Sequence, residues 1–176
     1  KLDADVIFIK NIDNVIHDNN PKISLYKNAL AGILIELQYK IFSYLSLIDG
    51  KLISQELLEE LLVFLGTRLN IETTSHFDNL TFDKKIEFVK DALNKPIRVC
   101  GMVKNEGKPG GGPFWVRNNQ GIVSLQIVES SQVDLSNEQQ KNILKAATHF
   151  NPVDLVCGIK NYKNEKFDLH EFVDHS

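Results

Sequence analysis

The spacing of apolar residues changes at Pro96, and this change constrains the fold more than any other feature of the sequence. Before Pro96, apolar residues recur at three- and four-residue steps, which is the period of amphipathic helices. After it, short apolar runs alternate with glycine and asparagine turns, as is typical of strands. The sequence therefore predicts a helical block followed by a region of sheet.

Three helices are predicted in the helical block, residues 22–95. The first spans Ser24 to Ile48, where the apolar residues at helical spacing are Leu25, Ala29, Ile33, Leu37, Ile41, Tyr44 and Ile48. Ser54 caps the second helix, which is rich in leucine. The third spans Thr81 to Leu93, with Thr81 as its cap and with Phe82, Ile86, Val89 and Leu93 pointing inward. We interpret this block as a scaffold or an inserted helical subdomain.

Strands are predicted on both sides of the helical block. The continuous apolar run Val6 to Ile9 predicts a buried strand. After Pro96, the runs RVCGMV, PFWVRN and IVSLQIVES predict three more strands, and Asn118 to Gly121 predicts a hairpin turn. A helix capped by Ser136 precedes HFNPVDLVCGI, and the last stretch, KFDLHEFVD, fits either a strand or a short helix.

Strands with helices between them predict an α/β layer fold with a largely parallel or mixed sheet. We interpret residues 1–176 as one domain or a fragment of a larger one, with residues 22–95 as a helical insertion. An apolar strand begins within a few residues of Lys1, and no signal peptide precedes it. We therefore expect that upstream sequence is missing.

Composition excludes some classes of partner. The net charge of -3 and the pI near 6.0 give no general reason to expect nucleic acid or an anionic membrane. The range Ala29 to Ile48 has the length of a membrane span, but Glu36 and Lys40 would each cost about 2.5–3.5 kcal/mol there, so a buried helix is favoured. Cys100 and Cys157 stand in apolar runs, which predicts reduced thiols and a cytoplasmic location.

The tetrapeptide NIDN, Asn11 to Asn14, follows the first predicted strand. Ligands bind beyond the carboxyl ends of strands in open α/β sheets. Asp13 offers a hard oxygen ligand for Mg²⁺, and Asn11 and Asn14 can each donate and accept hydrogen bonds to sugar hydroxyls. An asparagine-rich turn without a ligand fits the same residues.

Two later motifs also combine turn residues with polar groups. PGGGP, Pro109 to Pro113, lets backbone amides approach an anion, although a flexible hairpin would have the same composition. FNPVD puts Asn151 and Asp154 in an apolar frame, where each side chain needs a partner from a ligand or from the backbone. A capping turn would also explain that motif. The histidines and cysteines lack the spacing of a zinc site, and no nucleophile motif appears.

Taken in order, three segments resemble the UDP-sugar pyrophosphorylases, the nucleotidyltransferases that make UDP-glucose and UDP-N-acetylhexosamine. VIFIKNIDNV is similar to the family's strand that ends in Asn-x-Asp-Asn. GGPFWVRNNQGIVSLQIVESSQV is similar to its double glycine, strand, turn and Leu-Glu-x-x-Gln-Val run, and HFNPVDL to its Phe-Asn-x-x-Asn segment. The resemblance covers Val6 to Val15 and Gly111 to Leu155, and the helical block has no match.

This resemblance implies a Rossmann-like nucleotidyltransferase layer fold that transfers a nucleotidyl group from a nucleoside triphosphate to a sugar 1-phosphate with Mg²⁺. The bound partner would be a sugar phosphate or a nucleotide sugar. Carried over one residue at a time, the family's roles fall on Asp13 near metal and phosphate, Asn14 beside it, Glu129 on the sugar hydroxyls, Gly111 and Gly112 beside the sugar, and Asn151 holding it.

The sequence departs from the family pattern in two places. Asp154 stands where Phe-Asn-x-x-Asn has its second asparagine. Related nucleotidyltransferases complete their metal site with an aspartate or asparagine there, so we hypothesise that Asp13 and Asp154 bind one Mg²⁺. The family's glycine-rich nucleotide loop and its late phosphate-binding lysine have no counterpart. The chain would hold the sugar side of the pocket alone, and we expect it to be an incomplete domain that is inactive by itself.

VIFIKNIDN, NEGKPGGGPFWV, HFNPVDLVCG and FDLHEFVD also resemble an uncharacterised bacterial family of longer proteins, known chiefly from Bacteroidetes, with a domain of unknown function. Compared with that family, the chain is cut at both ends. Two alternatives to an enzyme stay open. One is a sugar-nucleotide sensor without chemistry, and the other is an interaction module that docks through the leucine-rich helix of Leu52 to Leu69.

Overall fold

The computed structural model describes residues 3–11, 21–73, 75–106, 110–119 and 121–173. In chain order its elements are β1 (Ile7–Lys10), α1 (Pro21–Asp49), α2 (Gln55–Arg68), β2 (Ile71–Glu72), the one-turn helix α3 (Ser75–Asp78), α4 (Phe82–Leu93), β3 (Ile97–Cys100), β4 (Val103–Lys104), β5 (Gly112–Arg117), β6 (Val123–Val128), α5 (Glu138–Lys145), β7 (His149–Phe150) and β8 (Asp154–Gly158). Short 3₁₀ helices lie at Ser130–Gln132 and at Leu169–Phe172, so the described part of KFDLHEFVD contains a short helix.

Side-chain caps fix where two of the long helices begin. The Ser54 hydroxyl accepts a hydrogen bond from the Leu57 amide at 3.2 Å, at the start of α2. The Thr81 hydroxyl accepts one from the Lys84 amide at 3.5 Å, at the start of α4. Each cap satisfies an amide that has no partner inside the first helical turn. Both predicted caps are confirmed.

The cap predicted for α5 is wrong by one residue. Asn137 caps this helix, because its side-chain oxygen accepts hydrogen bonds from the amides of Gln139 and Gln140 at 3.0 and 3.2 Å. The Ser136 hydroxyl instead donates to Asp134 at 2.6 Å. The neighbouring carboxylate takes the serine hydroxyl, so the asparagine is left to begin the helix.

The main apolar core lies where α1, α2 and α4 meet. Its members include Leu45, Leu58, Leu61, Leu65, Val89 and Leu93, each at most 2% exposed. The leucine stripe of α2 therefore packs inside the protein, and it is not an open docking face. Phe82, predicted to point inward, is 38% exposed, since it occupies the first position of α4 whereas Val89 and Leu93 occupy its packed end.

The sheet nearest this core has the strand order β1-β8-β3. Both pairings are antiparallel, with Ile7 opposite Cys157 and Arg98 also opposite Cys157. The central strand β8 separates β1 from β3, so these two run in the same direction without touching. The class is mixed α/β as predicted, but the pairings between described strands are antiparallel, and a mixed sheet is not seen among them.

The second sheet has the order β2-β6-β5, and β4 pairs with β7 in a third. The predicted hairpin joins β5 to β6: the Gly121 amide donates to the Asn118 carbonyl at 2.9 Å, and Gly121 has a φ of 82°, which glycine adopts without strain. Strand β2 comes from within the block predicted to be helical. That block therefore also supplies an edge strand to the second sheet.

Helix α1 packs across β3 and β8. It comes close to Gly158, where an added Cβ would lie 2.1 Å from the side-chain nitrogen of Gln38. By length and composition alone α1 could cross a membrane, which is weak evidence because core helices pass the same test. Its buried residues are Leu34, Leu37, Ile41, Tyr44, Leu45 and Ile48. Localisation stays a prediction.

Candidate functional site

The turn before β8 connects three of the predicted site segments. Within it, the carbonyl of Val153 accepts a hydrogen bond from the Asn11 amide at 3.0 Å, which ties the end of β1 to this turn. At the other end of the turn, the Asn151 amide donates to the Gly111 carbonyl at 2.7 Å. Asp13 and Asn14 lie outside the described residues, so their predicted roles stay predictions.

Asn151 is the buried polar residue of this turn, with 6% of its surface exposed. Its side-chain nitrogen donates to the Gly101 carbonyl at 2.7 Å, and its side-chain oxygen accepts from the Val153 amide at 2.9 Å. The sequence left open whether Asn151 finds its partners in a ligand or in the backbone. In the described chain these two partners are backbone groups, so Asn151 joins the turn to the end of β3.

Val153 has a φ of 55°, in the left-handed region that a β-branched side chain rarely adopts. Such a conformation costs on the order of 1–3 kcal/mol, and it persists only where neighbouring contacts hold it. Here the side chain of Asn151 binds the Val153 amide, and the amide of Asn11 binds its carbonyl. The turn is therefore held from both sides.

Gly111 lies directly beneath the carboxylate of Glu129. A Cβ added to Gly111 would come within 2.5 Å of Glu129 Oε1 and 2.8 Å of Ile127 Cγ2. Any side chain at this position would have to displace one of the two. The sequence allowed either a flexible hairpin or a ligand-facing loop for PGGGP. In the structure Gly111 is buried, and the side chains of Glu129 and Ile127 lie directly against its backbone.

The neighbouring glycines are also confined, while Pro109 of the motif lies outside the described residues. A Cβ on Gly110 would lie 2.9 Å from the ring of Phe150, and one on Gly112 would lie 2.8 Å from the ring of Phe114. These aromatic rings hold the glycine segment against β7. The segment therefore owes its path to packing as well as to the conformational freedom of glycine.

Glu129 follows the last residue of β6 and is exposed. Its backbone amide donates to the side-chain oxygen of Gln132 at 2.9 Å, at the start of a 3₁₀ helix. The strand end and this helix together fix the backbone that carries the carboxylate. A carboxylate in such a position can accept hydrogen bonds from ligand hydroxyls.

Asp154 begins β8 opposite Lys10 of β1. The Lys10 ammonium lies 3.9 Å from the Asp154 carboxylate, whose side chain is 29% exposed. Two features here escaped the sequence interpretation, namely Lys10 and Gly101. The amide of Gly101 donates to the Asp154 carbonyl at 2.8 Å, and an added Cβ would lie 3.1 Å from that oxygen. The signal for Gly101 is a glycine inside an apolar strand run, which indicates close backbone approach.

We call Asn11, Gly111, Glu129, Asn151 and Asp154 the turn cluster. Its members come from four separate segments of the chain and are linked by the contacts described above. Among the described residues, no group of three His, Cys, Asp or Glu side chains is arranged to hold a metal ion. Asp13 lies outside this set, so the proposed pair of Asp13 and Asp154 stays a prediction.

A cavity lies beside the turn cluster, not within it. Its volume is about 920 Å³, and its walls come from α1, α4, β3 and the β5–β6 hairpin. Pro113 and Ile127 line it and adjoin the Gly111 site, whereas Asn151 and Asp154 do not line it. The Arg98 guanidinium donates to the Gln126 side-chain oxygen at 3.2 Å, which connects the two sheets at this cavity.

Both cysteines carry free thiols and are partly buried. They lie diagonally on the adjacent strands β3 and β8, and burial raises the pKa of each thiol. The neutral thiol is a poor nucleophile, so these groups suit packing better than catalysis.

Comparison with known protein families gives one finding. The family model for a domain of unknown function, DUF4301, matches residues 1–176. The chain belongs to this family. No curated protein and no solved structure matches the chain. Membership of the DUF4301 family agrees with the expected resemblance to an uncharacterised domain, and the nucleotidyltransferase relationship stays a proposal.

Proposed function

We propose that this DUF4301 chain forms the sugar-binding part of a nucleotidyltransferase-like protein with a Rossmann-like fold, and that the turn cluster binds a sugar phosphate or nucleotide sugar. The observation that supports it most is the contact of Gly111 with both the Asn151 turn and the Glu129 carboxylate. These three residues match the motifs that resemble the UDP-sugar pyrophosphorylases. They stand far apart in sequence and lie together in the fold.

In this proposal Glu129, Gly111 and Asn151 have distinct tasks. Glu129 accepts hydrogen bonds from sugar hydroxyls, and Gly111 lets the Glu129 carboxylate lie against the glycine segment because it has no side chain. Asn151 is a positioning residue, because the contacts described for its side chain are to Gly101 and Val153. Transfer of a nucleotidyl group depends on positioning and charge neutralisation, so it requires no nucleophilic side chain from the protein.

Asp154 supplies a carboxylate oxygen of the kind that Mg²⁺ prefers, and Asp13 would be its second ligand in the proposed site. When bound, the ion would neutralise phosphate charge. The Lys10 ammonium, 3.9 Å from the Asp154 carboxylate, competes for the same oxygen. Replacing Lys10 with alanine should therefore lower the Mg²⁺ concentration that half-saturates ligand binding, whereas Asp154→Ala should abolish the Mg²⁺-dependent part.

The direct test is a thermal shift of the chain with UDP-N-acetylglucosamine, UDP-glucose or glucose 1-phosphate, each with and without Mg²⁺. At a ligand concentration of about 100 times Kd, binding adds about 2.7 kcal/mol to the folded state. For a chain of this length that raises the Tm by roughly 5–10 °C.

Glu129→Gln should remove most of this shift, because the neutral amide no longer offers a charged acceptor to the sugar hydroxyls. Glu138→Gln is the matched control, since Glu138 is an exposed glutamate at the start of α5. Equal shifts in the two variants would contradict the assigned role of Glu129. The absence of any shift with all three ligands in the unmodified chain would reject sugar binding.

We expect no catalytic turnover from this chain alone, because the glycine-rich nucleotide loop of the pyrophosphorylases has no counterpart in it. Pyrophosphate release from UTP and a sugar 1-phosphate measures this directly, and sustained release would overturn the incomplete-domain proposal. Ligand binding without turnover also fits a non-catalytic sensor. A glycine-rich loop with basic residues in longer DUF4301 proteins would favour an enzyme over a sensor.

A further inference from the structure

Strand β1 lies at the edge of its sheet, with β8 on one side only. On the other side, the backbone of Ile7–Lys10 makes no hydrogen bond to any residue that the structure describes. Phe8 and Ile9 are 48% and 44% exposed. A row of unpaired amides and carbonyls flanked by exposed apolar side chains is a template for another strand, since only a strand satisfies all of these groups together.

The sequence of β1 is that of a central strand. Ile7 and Ile9 point to one face of the sheet and Phe8 to the other, so both faces are apolar. Strands covered on both sides carry such continuous apolar runs, whereas exposed edges carry charges that discourage pairing. Strand β3, at the opposite edge of the same sheet, has an exposed arginine, Arg98, at its second position. The two edges of one sheet therefore differ, and β1 lacks the protection of β3.

The charges near β1 do not oppose pairing. Lys10, its only charged residue, is directed toward Asp154 on the adjacent strand. Upstream, the carboxylates of Asp3 and Asp5 are held by Lys160 at 3.5 and 2.7 Å. Hydrogen bonds to Lys166 and Lys160 also hold the pKa of the Asp3 carboxyl below its ordinary value.

We propose that β1 pairs with β1 of a second copy of this chain in an antiparallel, two-fold symmetric arrangement. Residues opposite each other in an antiparallel pair point to the same face of the sheet, so a two-fold axis normal to the sheet places Phe8 opposite Phe8 of the second copy, Ile7 opposite Ile9 and Lys10 opposite Val6. No like charges then face each other across these pairs, and the apolar residues of one copy cover those of the other. The two three-stranded sheets join into one continuous sheet of six strands.

An interface centred on four residues is small, so the dimer dissociates on dilution. Sedimentation velocity and light scattering on the chain from about 1 µM to about 1 mM cover the range in which weak interfaces dissociate. We expect a reversible monomer–dimer equilibrium. A chain that stays monomeric throughout this range overturns the proposal.

The variant Phe8→Lys places a charge on the proposed contact, and it should raise the dimer dissociation constant by at least about tenfold. Tyr39→Lys is the matched control, because it replaces an aromatic residue that is 79% exposed on α1 with the same charge. Its dimerisation should be unchanged. A dimer that survives Phe8→Lys, or is lost equally in Tyr39→Lys, assigns the interface elsewhere and overturns the proposal.

Hydrogen exchange tests the pairing of β1 on the unmodified chain, without any substitution. The amides of Phe8 and Lys10, which face away from β8, should exchange more slowly at high protein concentration than at low concentration. Amides at the β3 edge should not respond to concentration. Exchange of the β1 amides that is independent of concentration contradicts edge pairing, whatever the sedimentation shows.

Discussion

Replacing Asn151 with alanine is the substitution whose effect the structure defines most closely. The variant removes the donor to the Gly101 carbonyl and the acceptor for the Val153 amide, at 2.7 and 2.9 Å. A buried polar group that loses its partner costs about 1–3 kcal/mol, so the two together should lower the free energy of unfolding by about 2–6 kcal/mol. The left-handed conformation of Val153 also loses one of its two anchors.

Urea denaturation followed by circular dichroism measures this loss. With an m-value of about 2 kcal/mol/M, the unfolding midpoint should fall by about 1–3 M. Asn161→Ala is the control, because Asn161 makes similar side-chain bonds to the amides of Lys163 and Glu165 in a more exposed turn. If Asn151→Ala costs no more than Asn161→Ala, the turn does not depend on the side chain of Asn151.

The variant Asn151→Asp adds a pH dependence with a defined sign. Its carboxylate keeps the acceptor for the Val153 amide but cannot donate to the Gly101 carbonyl. Burial against a carbonyl oxygen raises the pKa of this carboxyl above its unfolded value. The folded state then binds a proton more tightly than the unfolded state, so the destabilisation relative to the unmodified chain should shrink as pH falls.

Three further substitutions test other parts of the structure. Gly111→Ala should lower the free energy of unfolding in chemical denaturation by about 1–3 kcal/mol, because the added Cβ would lie 2.5 Å from the Glu129 carboxylate. Gly32→Ala is the control: its added Cβ would have no heavy atom within 4 Å, so it should stabilise α1 by about 0.5–1 kcal/mol. If Gly111→Ala is neutral, the glycine segment is not held where the structure has it. Hydrogen bonds from Lys90 and then from Tyr162 lower the pKa of the Asp49 carboxyl from 3.8 to about 2. The Asp49 carboxylate therefore stabilises the folded state fully above pH 3.8, and this contribution is lost as the pH falls through about 2. In acid titrations at constant temperature, Asp49→Asn should lose less stability between pH 3.8 and about 2 than the unmodified chain. Equal losses would show that the titration of Asp49 does not cause the acid destabilisation. Ser54→Ala should lower the free energy of unfolding by about 1 kcal/mol, through the amide that the hydroxyl caps at the start of α2, and an unchanged urea midpoint would exclude a contribution from this cap.

Local structure was largely predictable from the sequence, because its determinants are local. The caps Ser54 and Thr81 and the turn of Asn118 to Gly121 follow from side chains that bind amides within a few residues. The strand order did not follow, since apolar runs give the length of a strand and not its direction. The antiparallel place of β8 between β1 and β3 depends on pairings between distant segments, such as Ile7 with Cys157.

The candidate site was predictable in its residues and less so in its contacts. Gly111, Glu129 and Asn151 could be selected by their resemblance to a family and by their unusual setting. The backbone partners of the Asn151 side chain could not be predicted, because one of them, Gly101, lies fifty positions away in the chain. The crowding around Gly111 likewise arises from β6 folding back over the glycine segment.

The central position of β8 has a consequence for the order in which this protein can assemble during translation. The helices α1, α2 and α4 form their core from residues 34–93, so they can pack while the rest of the chain is still being made. Strands β1 and β3 have no pairing with each other, and each waits for Asp154–Gly158 to emerge from the ribosome. Until then neither strand has the backbone partner of its sheet, and a ribosome that stalls before Asp154 leaves a nascent chain with packed helices and no first sheet.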